Sequence, residues 1–398
     1  MTKIDIEREE FIRVSTTLYK LVNQPRINGG YVRKRIPWNA ETLRQDYGKG
    51  FMASVPKYDG FCTVPDHVNY KSVVDKFLNL YEPIEHQPVQ GDFPHISSLV
   101  RHIFDEQYEL GMDYLQLLYL QPVQKLPVLL LVSEERNTGK STFLNFLKAV
   151  FQNNVTFNTN EDFRSQFNSD WAGKLLIVVD EVLLSRREDS ERLKNLSTTL
   201  SYKVEAKGKD RDEIAFFAKF VLCSNNEHLP VIIDAGETRY WVRKINRLEN
   251  DDTGFLQKLK DEIPAFLHFL AQRKLSTEKE SRMWFNPKLL HTAALQRIIR
   301  SNRNRLEIEM SELILDIMES VGIESFSFCL NDMPPLLVNT QVKAEKHQVR
   351  KVVQDCWKLT PVHNTLTYTT YQVDYTRDCH YSPIRRTGRF YTEGKKTI

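Results

Sequence analysis

The chain has 398 residues, 41% of them hydrophobic and 27% charged, with a net charge of +3. That composition excludes a disordered chain, and the length points to two or three domains rather than one core. A net charge this small implies no partner by itself, so any affinity for nucleic acid has to come from local clusters.

In chain order, the opening MTKIDIEREEF is too charged for a signal peptide. The first hundred residues mix prolines, tyrosines and polar turns with little periodicity. Apolar residues at near-helical spacing over 99–120, interrupted by Gly111, predict two helices there. The longest apolar run, residues 126–132, has the length of a buried strand and is far short of a membrane span. An amphipathic helix follows at 141–151, then a strand at 155–159, with Asn160 as a plausible N-cap for a helix beyond it. Further buried strands are expected at 174–181 and 220–225, an alternation that indicates an α/β sheet. Past residue 275 an amphipathic helix, a basic helix and a Thr/Tyr-rich hairpin fit a small winged-helix module. The five cysteines (Cys62, Cys223, Cys329, Cys356, Cys379) form no C-x-x-C pair, which argues against a zinc site or disulfide framework and for a reducing compartment.

The chemistry concentrates between the strands. LVSEERNTGKSTFL, residues 131–144, ends as a phosphate-binding loop, with Asn137, Thr138, Gly139, Lys140, Ser141 and Thr142 as the binding residues for ATP. Glycine lets the backbone approach a phosphate, and the N–H groups opening the next helix attract an anion. Lys140 would reach the β- and γ-phosphates, and Ser141 would hold Mg²⁺. The pattern G-x-x-x-x-G-K-[ST] asks for glycine at 134, where Glu134 stands. Asn137 tolerates the left-handed backbone such a loop needs. The strand LLIVVDE ends in Asp180, expected to support Mg²⁺ with Ser141, and Glu181, expected to polarise the attacking water. FVLCSNN ends in Asn225, a γ-phosphate or water ligand, with Asn226 competing for that role. GETRYWVRK offers Arg239, with Arg243 as second choice, to neutralise charge in a neighbouring subunit's site.

With SEERNTGKSTF, IVVDE, VEAKGKDRDE and FVLCSNNEHLPVIIDAGETRYWV in place, residues 65–275 resemble the superfamily III helicase ATPase of poxvirus-type primase-helicases. The resemblance implies an AAA+ type P-loop core over 121–275, a mostly helical N-terminal collar over 1–120 and a winged-helix domain over 276–398. It further implies a homo-oligomeric ring, as a hexamer, moving on single-stranded or forked DNA in the cytosol of a bacterial host. Lys203, Lys207 and Lys209 fall on the hairpin that this family points into the ring channel. The chain carries no recognisable primase motif, so priming would fall to another polypeptide. Independently, residues 341–398 hold eleven Lys and Arg against five Asp and Glu. Lys343, Lys346, Arg350 and Lys351 on a helix, with Arg385, Arg386 and Arg389 on a wing, make a phosphate-binding footprint. An ATPase switch that initiates or loads, and a non-catalytic DNA scaffold, are the alternatives to a helicase.

Overall fold

The computed structural model describes every residue except 1–8, 26, 28–30, 164–170, 205–211, 235, 249–251, 340–343, 375–379 and 395–398. It begins with strands. β1 (Glu10–Val14), β2 (Thr17–Pro25) and β3 (Tyr31–Pro37) lead to helices α1 (Ala40–Tyr47) and α2 (Phe51–Ser54), then to β4 (Lys57–Tyr58). These strands form one sheet in the order β3-β2-β1-β4, packed on a small core of Phe11, Leu18, Leu43 and Val55. Strands β5 (Gly60–Cys62), β6 (Val73–Val74) and β7 (Phe77–Asn79) make a second small sheet. Against the mostly helical collar expected over 1–120, the described residues up to Asn79 form two small sheets with two short helices, and the region turns helical only from Pro94. The cause is visible in β3, YVRKRIP, which is almost wholly exposed and so shows no apolar alternation in sequence.

Helices α3 (Pro94–Phe104) and α4 (Tyr108–Leu120) follow, and both are built into the central core. The break between them lies at Asp105, whose φ is 44°, and not at Gly111, which sits inside α4. Glycine is needed at 111 for space, since a Cβ there would lie 2.4 Å from the Phe104 ring.

The central sheet is parallel and holds β8 (Val128–Val132), β9 (Val155–Asn158), β10 (Leu176–Val179), β13 (Lys219–Ser224) and β14 (Tyr240–Lys244) in the order β14-β8-β13-β10-β9. A separate antiparallel hairpin, β11 (Ser201–Val204) with β12 (Asp212–Ala215), stands between β10 and β13 in sequence. β8, β10 and β13 are buried along their whole length, as their unbroken apolar runs require. Around the sheet pack α5 (Lys140–Phe151), α6 (Arg187–Thr198) and α7 (Phe255–Gln272). β14 had no clear sequence signal; it is the fifth strand and carries a buried arginine.

Helix α8 (Ala293–Val321) runs 29 residues without interruption. Its first turns, with Ala294, Leu295, Ile298 and Ile299, lie in the core of the central sheet, while Leu306, Met310, Ile314 and Met318 lie in the C-terminal core. Trp284, Phe285 and Leu290 also pack into the central core. Most apolar side chains over 283–299 are thus buried with the central sheet, past the boundary expected at 275, and the packing passes to the C-terminal core within α8. The C-terminal unit continues with β15 (Ser325–Phe328), α9 (Met333–Leu336), α10 (Lys346–Lys351), and strands β16 (Leu366–Asp374), β17 (His380–Gly388) and β18 (Tyr391–Gly394). β16 and β17 form a hairpin, and β15 pairs with β18. No helix among the described residues is long and apolar enough to cross a membrane.

Candidate nucleotide-binding site

The loop between β8 and α5 leaves the carboxyl edge of the sheet, where open α/β sheets place their ligands. Asn137 has φ 55° and Gly139 has φ 78°, so the loop turns through two left-handed residues before α5 starts at Lys140. No side chain caps the N-terminus of this 12-residue helix, which leaves its first N–H groups available to an anion. Lys140 is 5% exposed and donates from Nζ to Thr138 Oγ1 at 3.0 Å. Burial lowers the pKa of Lys140. Residues 137 and 138 are held from outside: the His102 ring donates from Nε2 to the Thr138 carbonyl at 3.0 Å, and the Leu248 N–H donates to the Asn137 carbonyl at 2.9 Å.

Ser141 Oγ donates to Asp180 Oδ2 at 2.6 Å. This contact joins the start of α5 to the end of β10, across the intervening strand β13. The hydroxyl and the carboxylate are hard oxygen donors of the kind Mg²⁺ takes, so the residues present fit Mg²⁺ held jointly with phosphate oxygens. Among the described residues no group of three or more His, Cys, Asp and Glu could hold a metal by itself. Thr142, half-buried, follows in the first turn of α5.

Glu181 is exposed and left-handed at φ 59°. Both of its flanks are pinned: the Val182 N–H donates to the Cys223 carbonyl at 2.6 Å, and Asn160 Nδ2 donates to the Glu181 carbonyl at 3.1 Å. Asn160 Oδ1 also accepts from the Leu183 N–H at 2.9 Å. Asn160 thus braces the acidic turn; residues 161–163 form a turn, and the rest of the helix expected beyond Asn160 lies outside the described residues.

Register places Asn225 at the same edge. Ser224 pairs with Val132, and Leu222 with Val179, so Asn225 emerges between the loop and the carboxylates. It is exposed. Asn226 is committed to its own turn, accepting through Oδ1 from the N–H groups of His228 and Leu229 at 2.9 and 2.8 Å. Asn225, the first choice, is the exposed one of the two, while the Asn226 side chain is engaged within its turn.

Arg239 lies at the opposite edge. Its carbonyl accepts from the N–H of Val128, the first residue of β8, whereas the phosphate loop leaves from the last. Four residue steps along a strand are about 13 Å, so Arg239 sits away from the loop of its own chain. Its guanidinium donates to Glu237 Oε2 at 3.0 Å. Arg243 is buried and forks onto Glu106 at 2.6 and 3.1 Å, a strut between β14 and the α3–α4 turn.

Of the candidate DNA contacts, Lys203 is exposed on β11, while Lys207 and Lys209 lie outside the described residues. Lys346 opens α10, with Arg350 and Lys351 exposed in its last turn; Lys343 lies outside the described residues. Arg385 and Arg389 are exposed, but Arg386 donates to the buried Asp332 carboxylate and ties β17 to α9. Among the described residues, the expected basic helix consists of the six residues of α10 followed by a π-helical turn, Val352–Cys356.

A further residue escaped sequence reasoning. Glu227, 3% exposed, accepts from the Glu134 N–H at 3.3 Å and pairs with Lys244 at 3.1 Å and with Arg297. Its burial pushes the carboxyl pKa up, yet the bonds from Lys244 and the Glu134 N–H bring it below the ordinary value.

A family model of unknown function, DUF5906, matches residues 131–243, a stretch that holds the phosphate loop, Asp180, Glu181, Asn225 and Arg239. The apo structure of the NrS-1 C-terminal region (305–718) shares the fold over 89% of this chain and 84% of that one, with 18% identity and a TM-score of 0.57. The A-form apo structure of the same region gives 19% identity, 89% and 85% coverage, and a TM-score of 0.56. A structure of JCV helicase with a bound acetamide compound is too remote to bear on the fold, at 17% identity, 58% and 66% coverage and a TM-score of 0.30. No curated protein matches the chain.

Proposed function

We propose that the chain is a nucleotide-driven motor, an ATPase of the superfamily III helicase kind that acts as a ring, most simply a hexamer, on single-stranded DNA. The observation that carries this reading is the 2.6 Å bond from Ser141 to Asp180. It brings the phosphate loop and the acidic strand end together at one sheet edge, beside a helix N-terminus with no side-chain cap.

In this reading residues 137–142 cradle the phosphates, with Lys140 on the β- and γ-phosphates. Ser141 and Asp180 would hold Mg²⁺, which when bound neutralises charge on the phosphate oxygens. Glu181 accepts the proton of the attacking water, and Asn225, between the carboxylates and the loop, aligns that water. Arg239, remote from its own loop, serves the site of the next copy in the ring. Lys203, Lys207 and Lys209 track the strand, and the C-terminal unit, read as a winged helix, adds Lys343, Lys346, Arg350, Lys351, Arg385 and Arg389.

The test is ATP hydrolysis with and without single-stranded DNA, for the natural sequence and Glu181→Gln. Hydrolysis stimulated by DNA and lost in the variant supports the motor. No hydrolysis from assembled protein in either condition overturns it and favours a scaffold with an inert loop.

A further inference from the structure

Glu134 stands where phosphate loops of this pattern begin with glycine, and the structure surrounds it with contacts. Its N–H donates to Glu227, and its carboxylate lies 3.3 Å from His228 Nε2. Both neighbours reach on to α8: Glu227 pairs with Arg297, and His228 Nδ1 lies 3.2 Å from Ser301 Oγ. Arg297 and Ser301 are four apart and so share one face of that helix. Glu227 is also held by Lys244, at the last residue of β14. The 225–228 turn is thus a bridge with the loop entry on one side and α8 on the other.

We propose that Glu227 is a positioning residue that fixes the entry of the phosphate loop, and that with His228 it passes the state of that loop to α8. The inference rests on the reading of residues 137–142 as a nucleotide loop. Two features favour it over simple surface pairing. The Glu227 side chain is 4% exposed, whereas Arg297 and Lys244 are 42% and 46% exposed, so the carboxylate is the buried, fixed member and the cations come to it. The helix that receives the contact continues without a break into the C-terminal core, so a shift at Arg297 is carried as a rigid-body movement.

The test uses the full chain, a fluorescent ATP analogue with Mg²⁺, and hydrogen exchange over residues 133–142 and 293–302. In the natural sequence, nucleotide is expected to slow exchange in both segments. In the double variant Arg297→Gln, Ser301→Ala, protection should remain over the loop and vanish over α8. Glu227→Ala should weaken nucleotide binding roughly tenfold, the scale of one charge-assisted hydrogen bond. Glu227→Gln, which keeps an acceptor for the Glu134 N–H, should recover most of that loss. In turnover the Glu227→Ala effect should fall on KM with kcat preserved, which a merely misfolded fraction would not produce. Loop protection without any response of α8 in the natural sequence, or unchanged affinity in Glu227→Ala, overturns the inference alone. Absence of nucleotide binding by the natural sequence overturns the proposed function and the inference together.

Discussion

A left-handed glutamate costs on the order of 1 kcal/mol or more and persists only where its surroundings hold it. At Glu181 those surroundings are Asn160 on the carbonyl and Cys223 beneath Val182. Asn160→Ala frees one side, so turnover should fall while nucleotide affinity holds, a separation that single-turnover kinetics beside equilibrium binding would resolve. Glu181→Gln should show the same separation more strongly, by about 10²-fold or more if the carboxylate is the base. The phosphate loop, Asp180 and Asn225 were legible because each ends an apolar strand and its chemistry is local. Asn160 and Glu227 were not, since the first acts on a residue 21 positions away and the second on one 93 positions away. No spacing rule reaches across such separations.

At the scale of elements, α4 makes a sharp case. Gly111→Ala gains up to about 1 kcal/mol of helix propensity, but its methyl meets the Phe104 ring, which stacks on Trp241. Overpacking of that kind costs about 1–3 kcal/mol, so the variant should lose stability in urea denaturation. From sequence, glycine in a helical pattern reads as an interruption; here its neighbour in space, not its freedom, explains it. The β5–β7 segment is tied to α4 through His67. The Tyr119 carbonyl can only accept, so His67 Nδ1 carries the proton, and Nε2 accepts from the Tyr81 hydroxyl at 2.6 Å. Burial drives the His67 pKa down to about 4 from an ordinary 6.5. The folded state therefore binds fewer protons than the unfolded chain between those values, and stability is lost as pH falls from 6.5 toward 4. The contribution is at most about 3 kcal/mol, and His67→Gln should flatten the acid limb of a stability-against-pH curve. The strands before residue 40 escaped a pattern reading because the sheet has one exposed edge and a core of only a few side chains.

For the whole molecule, the decisive relation is the distance of Arg239 from its own loop. If each site borrows this arginine from a neighbour, Lys140→Ala and Arg239→Ala should each be inactive alone yet regain activity when mixed. With random assembly at equal amounts roughly a quarter of the interfaces pair an intact loop with an intact arginine. Steady-state hydrolysis of the mixture, against either variant alone, reads this directly, and no recovery would place the arginine in another role. The parallel sheet was legible at this scale from its buried strands. The change of unit inside α8 was not, because one amphipathic helix serves two cores and its apolar pattern gives no sign of the handover at residues 300–306.

The unbroken α8 also sets a phase between the two units. Each residue in a helix advances it by about 1.5 Å and turns it by about 100°. A single residue inserted between Asn302 and Leu306 would thus swing the C-terminal unit by roughly a quarter of a turn around the helix axis, pointing its basic strand and helix elsewhere. Seven inserted residues would bring the angle back to within about 20° while lifting the unit by about 10 Å. Helix α8 is in this respect a shaft with a keyed angle, and an insertion that restores the rotation is expected to disturb the placement of the C-terminal unit less than one that does not.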